Sequence, residues 1–206
     1  MKDKTLVCFV VDNSGSMANI KDDLEQSIKT LIGEQREISG KCLISHFPFA
    51  ANVKKDFAMI DIEDIPNIRI RPLGNTALFD AACAAIDDTG KQLAETSEQD
   101  RPNKVIFVIL TDGHENASKH FSRNDLKNKI EHQRSKYSWD FIFLGSNQCA
   151  ITEAASLGIP REKSITFNSH STKSCGTVLN SYLSATRSGD LYAFNEADRN
   201  LMNTKI

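Results

Sequence analysis

Two uninterrupted apolar runs, residues 6–11 and 105–110, constrain this chain more than any other feature in it. A strand with one face in water alternates apolar and polar positions. A strand that is apolar throughout must be covered on both faces, which is the situation of strands in open parallel sheets flanked by helices. Each run also ends in an acid: Asp12 directly follows the first, and Thr111-Asp112-Gly113 follows the second.

The segments between them supply the covering helices. Leu24, Ile28, Leu31 and Ile32 fall at helical spacing within residues 18–37, and Gly40 closes that stretch. Residues 42–49 and 53–62 read as two strands of a hairpin turning near Ala51-Asn52, followed by an irregular segment over 66–74. Leu78, Ala81, Ala82, Ala85, Ile86 and Leu93 mark a helix over 77–94. Leu126 and Ile130 give one face to a polar helix over 123–136. A strand over 141–144, a helix over 151–157 closed by Gly158, a strand over 164–167 and a helix over 173–186 complete the alternation. The last twenty residues are polar and weakly periodic, and are expected to be partly mobile. The predicted fold class is α/β: a doubly wound, mostly parallel sheet with one antiparallel edge strand.

With 206 residues and no linker or repeat, the chain is expected to be a single domain, with a core over about 4–168 and a C-terminal helical extension over about 169–206. That length buries a full core without staples. A net charge of −2 with scattered Lys and Arg gives no attraction to nucleic acid or anionic lipid, and no basic strip is interleaved with aromatics. No run is long enough to span a membrane, and the short apolar run behind the N-terminus reads as a strand and not as a signal peptide. Five widely spaced cysteines, an odd number without a C-x-x-C pair, point to free thiols in a reducing compartment, most simply the cytoplasm.

Ligands of such sheets bind beyond the carboxyl ends of the strands. There the sequence places Asp12, Ser14 and Ser16 after the first strand, Asp112 after the strand over 105–110, and Gly74-Asn75-Thr76 before the Ala-rich helix. Side chains two apart in a chain wrapping around a point can face one centre. Two acids and three hydroxyls are hard oxygen donors suited to Mg²⁺, Mn²⁺ or Ca²⁺, and no His or Cys stands among them at ligand spacing.

Asp12-Asn13-Ser14-Gly15-Ser16, followed by Met17, resembles the D-x-S-x-S metal-ion-dependent adhesion site of von Willebrand factor type A domains. Gly74-Asn75-Thr76-Ala77-Leu78-Phe79-Asp80-Ala81 is similar to the family's threonine loop, and Leu110-Thr111-Asp112-Gly113 to the loop that carries its last acid. Residues 143–148 with 154–159 are similar to a segment of short, stand-alone bacterial and phage members. The resemblance implies a Rossmann-like fold and direct hydroxyl ligation by Ser14, Ser16 and Thr76. It implies that Asp12 and Asp112 coordinate directly or through water. The expected function is metal-dependent protein binding without catalysis, an Asp or Glu of a protein partner completing the shell.

A metal-dependent hydrolase or phosphoryl-transfer enzyme is the alternative, and His114 is its one candidate base. The zinc-protease pattern H-E-x-x-H fails because Ser118 occupies the second histidine position. Neither a nucleophile elbow nor a glycine-rich phosphate loop is present, and Ser14 stands where a D-x-D enzyme needs its second acid. His114, Glu115 and Asn116 are expected at the rim of the site or in a solvated loop. Trp139, Phe47, Phe49 and Phe57 are expected to pack, and His46 to be a satisfied sheet residue.

Overall fold

The computed structural model describes residues 4–146 and 150–203. In chain order its elements are β1 (Lys4–Asp12), α1 (Lys21–Arg36), β2 (Lys41–Phe49), β3 (Phe57–Asp61), α2 (Leu78–Glu95) and β4 (Lys104–Thr111). They continue with α3 (Arg123–Tyr137), β5 (Asp140–Gly145), α4 (Ala150–Ser156), β6 (Ser164–Thr166), α5 (Ser174–Ser188) and α6 (Glu196–Asn203). The sheet runs β3-β2-β1-β4-β5-β6. Every neighbouring pair is parallel except β2 with β3.

Period two explains why the central runs are wholly apolar. Val7, Phe9 and Val11 of β1 and Ile106, Val108 and Leu110 of β4 face one core, built with α1, α5 and α6. Leu6, Cys8 and Val10, with Val105, Phe107 and Ile109, face a second core under α2, α3 and α4. Trp139 stacks on Phe107 with ring centroids 5.4 Å apart, as a packing anchor should. Phe47 and Phe49 are buried, and Phe57 packs half-buried against the first core.

Two expectations change. The hairpin is shorter and less regular than its apolar pattern implies: β3 begins only at Phe57, and Val53 makes an isolated bridge to Phe49. The β2–β3 register shifts between Ile44 and His46. Nearby Met59 sits at φ 51 and donates its N–H to Ser45 Oγ at 2.9 Å, so a β-bulge takes up the extra residue. Within the last twenty residues, Glu196–Asn203 form α6, which packs on β6 with Phe194 and Met202 buried. Its apolar residues are sparse because Asp198 and Arg199 take buried positions as well. Asp198 accepts from Tyr192, and Arg199 donates to the carbonyls of Ser164 and Arg161.

Among the described residues no helix is long and apolar enough to cross a membrane. Cys8, Cys42, Cys83 and Cys175 are free and buried. Cys149, and with it part of the segment 143–148, lies outside the described residues.

Candidate functional site

Strand order reverses between β1 and β4: the chain builds outward from β1 to β3, then crosses back to place β4 on the other side of β1. The crevice this opens lies beyond the carboxyl ends of those two strands. Asp12 is the last residue of β1, and Asp112 follows directly on β4.

Asp12 is fully buried and held at both oxygens. Its Oδ1 accepts the Ser14 N–H at 2.6 Å, and its Oδ2 accepts the Thr111 hydroxyl at 2.5 Å. The chain then turns through a short 3₁₀ segment, Gly15–Asn19, that brings Ser14 Oγ and Ser16 Oγ to 3.0 Å. Ser16 donates to Asp112 Oδ1 at 2.6 Å, joining the two strand ends. Ser14 makes no side-chain capping bond, so helix capping does not account for its hydroxyl.

Thr76 arrives from a third loop, stitched in place by backbone and side-chain bonds. Its N–H donates to Asn116 Oδ1 at 2.9 Å, and its carbonyl accepts from the N–H groups of Asn116 and Ala117. The carbonyl of Gly74 accepts the Gly15 N–H at 3.0 Å, tying the threonine loop to the serine loop. Gly113 completes the enclosure by lacking a side chain. A Cβ there would lie 3.0 Å from Thr76 Oγ1, 3.6 Å from Ser16 Oγ and 3.8 Å from Asp12 Oδ2. Oxygens from separate loops thus border one small space that only glycine leaves open.

Burial pushes the Asp12 carboxyl above its usual range, partly opposed by the bonds from Thr111 and Ser14, and the charge of Asp112 adds to the rise. Asp112 is pushed up by burial too, against the bond from Ser16. Among the described residues neither acid has an ion pair with Lys or Arg. Two facing carboxylates without a basic partner repel each other, and a bound cation would remove that penalty. The described residues contain no group of three or more His, Cys, Asp or Glu suited to a metal. Any ion held at this end of the sheet would therefore depend on the serine and threonine hydroxyls.

Of the five residues singled out by spacing, Asp12, Ser14, Ser16 and Asp112 form one bonded chain, and Thr76 joins them across the Gly113 space. Glu115 is half-buried and Asn116 exposed in the loop after Asp112, as a rim position requires, and both also take on a holding role. Glu115 accepts from the N–H groups of Phe79, Ala117 and Ser118, and Asn116 clasps Thr76; both hold the threonine loop against the loop after β4. His114 is exposed. Spacing points to no role for Thr111 or Gly113, yet the Thr111 hydroxyl holds Asp12 and Gly113 leaves the space beside Thr76 open.

No family model and no curated protein matches the chain. Solved structures do. Proximal thread matrix protein 1 of the mussel byssus aligns with 90% of this chain and 47% of its own length, at 17% identity and a TM-score of 0.66. A further structure of that protein has a zinc-occupied metal-ion-dependent adhesion site. The PilB minor pilin of Streptococcus sanguinis aligns with 90% of this chain and 62% of its own, at 12% identity and a TM-score of 0.62. A von Willebrand factor type A protein of Catenulispora acidiphila aligns with 89% of this chain and 43% of its own, at 10% identity and a TM-score of 0.58. The chain spans roughly half the length of these proteins. Over that shared span the sheet and its helices superpose although few residues are identical, and the chain has the fold of the von Willebrand factor type A domains.

Proposed function

We propose that the chain is a metal-ion-dependent protein-binding domain, in which Asp12, Ser14, Ser16, Thr76 and Asp112 hold a divalent cation. An Asp or Glu of a protein partner completes the coordination shell. One observation carries the reading: two acids from neighbouring strand ends converge with hydroxyls from the serine and threonine loops, and among the described residues no basic side chain pairs with either acid. The cation supplies positive charge at a partly buried point, where a carboxylate from outside is held more strongly than in open water. The chain's own part is positional. Thr111 and the Ser14 N–H fix the orientation of Asp12, while Asn116 and Glu115 hold the threonine loop within reach.

Oxygen-only donors favour Mg²⁺, with Mn²⁺ or Ca²⁺ as alternatives. The zinc in the mussel protein's site supports a divalent ion at such a site without selecting which one this chain takes. A reducing, cytoplasmic setting fits the buried free thiols. Burial pushes Cys8 and Cys83 up to about 12 and Cys42 up to about 11, which leaves them unreactive. Affinity capture from a lysate in Mg²⁺, then in EDTA, tests the function. A partner retained by wild type in Mg²⁺, released by EDTA and lost from Asp112→Asn is the expected result. A partner held equally in all three conditions places the interface elsewhere. His114→Ala should retain that partner, since this reading gives the imidazole no task.

A further inference from the structure

A cavity of about 700 Å³ opens directly beside the site, and Asn13, which stands between Asp12 and Ser14, forms part of its wall. The same wall is pinned to the site's loop. The Asn13 N–H donates to the Phe49 carbonyl at 2.6 Å, and the Leu73 N–H donates to the Asn13 carbonyl at 2.8 Å. The lining carries three bases, Lys54, Arg69 and Arg71, and a single acid, Asp56.

Two of these charges are already engaged. Arg69 pairs with Glu25 at 2.8 Å, and Asp56 lies 3.1 Å from His46 Nδ1. Lys54 and Arg71 are exposed, and neither side chain makes an ion pair or hydrogen bond among the described residues. The same lining carries Leu73, a large apolar side chain 77% exposed, and half-buried Phe57. Uncommitted positive charge beside an exposed apolar side chain, continuous with a point that would take a carboxylate, is complementary to one kind of occupant.

The geometry points to a docking groove for an extended acidic segment of a protein partner. The residue bound at the metal is followed or preceded by an apolar side chain seated on Leu73 and by a second acid facing Arg71 and Lys54. This assignment rests on the proposed function, because the first carboxylate is the one taken at the cation. It adds the partner's chemistry: not a lone Asp or Glu, but an acidic-apolar-acidic sequence.

The test is selection from a displayed random-peptide library on the Mg²⁺-loaded full chain, with elution by EDTA. A selected peptide is then synthesised, and its affinity is measured by fluorescence polarisation. Eluted peptides should pair two acids around an apolar residue. The double variant Lys54→Glu/Arg71→Glu should bind the selected peptide about tenfold more weakly, with unchanged Mg²⁺ affinity, because repulsion replaces two exposed attractions. Leu73→Ser should weaken it by about threefold through lost apolar contact. If EDTA-eluted peptides bind the double variant and wild type alike, the groove assignment is overturned while metal-dependent binding stands. If no peptide is released by EDTA, both fall together.

Discussion

Two acids on adjacent strands of the same sheet, Asp140 at the start of β5 and Asp112 just past the end of β4, are treated in opposite ways. Asp140 accepts from Lys163 Nζ at 3.1 Å and from the buried Tyr182 hydroxyl, while Lys163 also reaches the Tyr192 carbonyl. Burial, then the Asp140 charge, pushes the Tyr182 phenol far up, so it stays a donor. Acid, base and phenol satisfy one another there, and together they tie β5 to α5. Asp112 has a serine hydroxyl for a partner and Asp12 for a neighbour. One acid is thus paired with a lysine, while among the described residues the acid at the neighbouring strand end has no basic partner.

The contrast can be broken most severely at the satisfied end. Asp140→Ala leaves a buried phenol and an ammonium without their acceptor and should cost about 2–3 kcal/mol in denaturant unfolding, in Mg²⁺ and in EDTA alike. An effect that depends on the metal would merge the two clusters into one network and undo the comparison.

At the open end, Gly113→Ala should act on the site more than on the fold. Its methyl would press on Thr76 Oγ1 at 3.0 Å, a contact that the threonine loop must relieve by shifting. Mg²⁺ affinity is expected to fall by about tenfold, with a stability change in EDTA of under about 1 kcal/mol. Unchanged affinity would mean that the Gly113 space is not where an ion is held.

The smallest effect carries the most informative sign. Asp112→Asn keeps an acceptor for Ser16 and removes one of two repelling charges, so in EDTA at neutral pH it should stabilise the chain by about 0.5–1 kcal/mol. The pH dependence follows from the raised carboxyls. The folded state holds the Asp12 and Asp112 protons more tightly than the unfolded chain does. Their contribution to stability is therefore full below the ordinary carboxylate range and is lost as pH rises through their elevated folded values. Asp112→Asn should flatten that part of the EDTA profile. A steeper loss would show that Asp112 is compensated after all.

Much of the site was legible because its chemistry is local in sequence. Asp12, Ser14 and Ser16 lie within one turn of the end of a strand, and Asp112 follows a run whose burial is unmistakable. The elements that arrange them were hidden because their bonds are long-range. Glu115 meets Phe79 and Asn116 meets Thr76 across some forty residues, and nothing near either residue announces an acceptor for a distant loop. The role of Thr111 is hidden in the sequence because a threonine ending an apolar strand looks like ordinary β propensity until the Asp12 carboxylate is placed beside it. In β3 the apolar pattern carried the reading too far: a bulge at Met59 and an isolated bridge at Val53 arise from pairing with β2, which no single-strand pattern encodes. The α6 segment is hard to read for a related reason, since Asp198 and Arg199 are buried through hydrogen bonds and not through apolar contact.

We propose that the uncompensated acids and the three hydroxyls form one divalent-cation site. Calorimetric titration of Mg²⁺ into the metal-free chain, beside Asp12→Ala and Thr76→Val, tests it most directly. Wild type should show a single saturable site and a matching rise in melting temperature on Mg²⁺ addition, and Asp12→Ala should lose both. Thr76→Val should weaken binding while leaving the metal-free melting temperature close to wild type. Mg²⁺ binding of equal strength in all three proteins, or none in wild type with either Mg²⁺ or Mn²⁺, would mean that these five residues hold no cation.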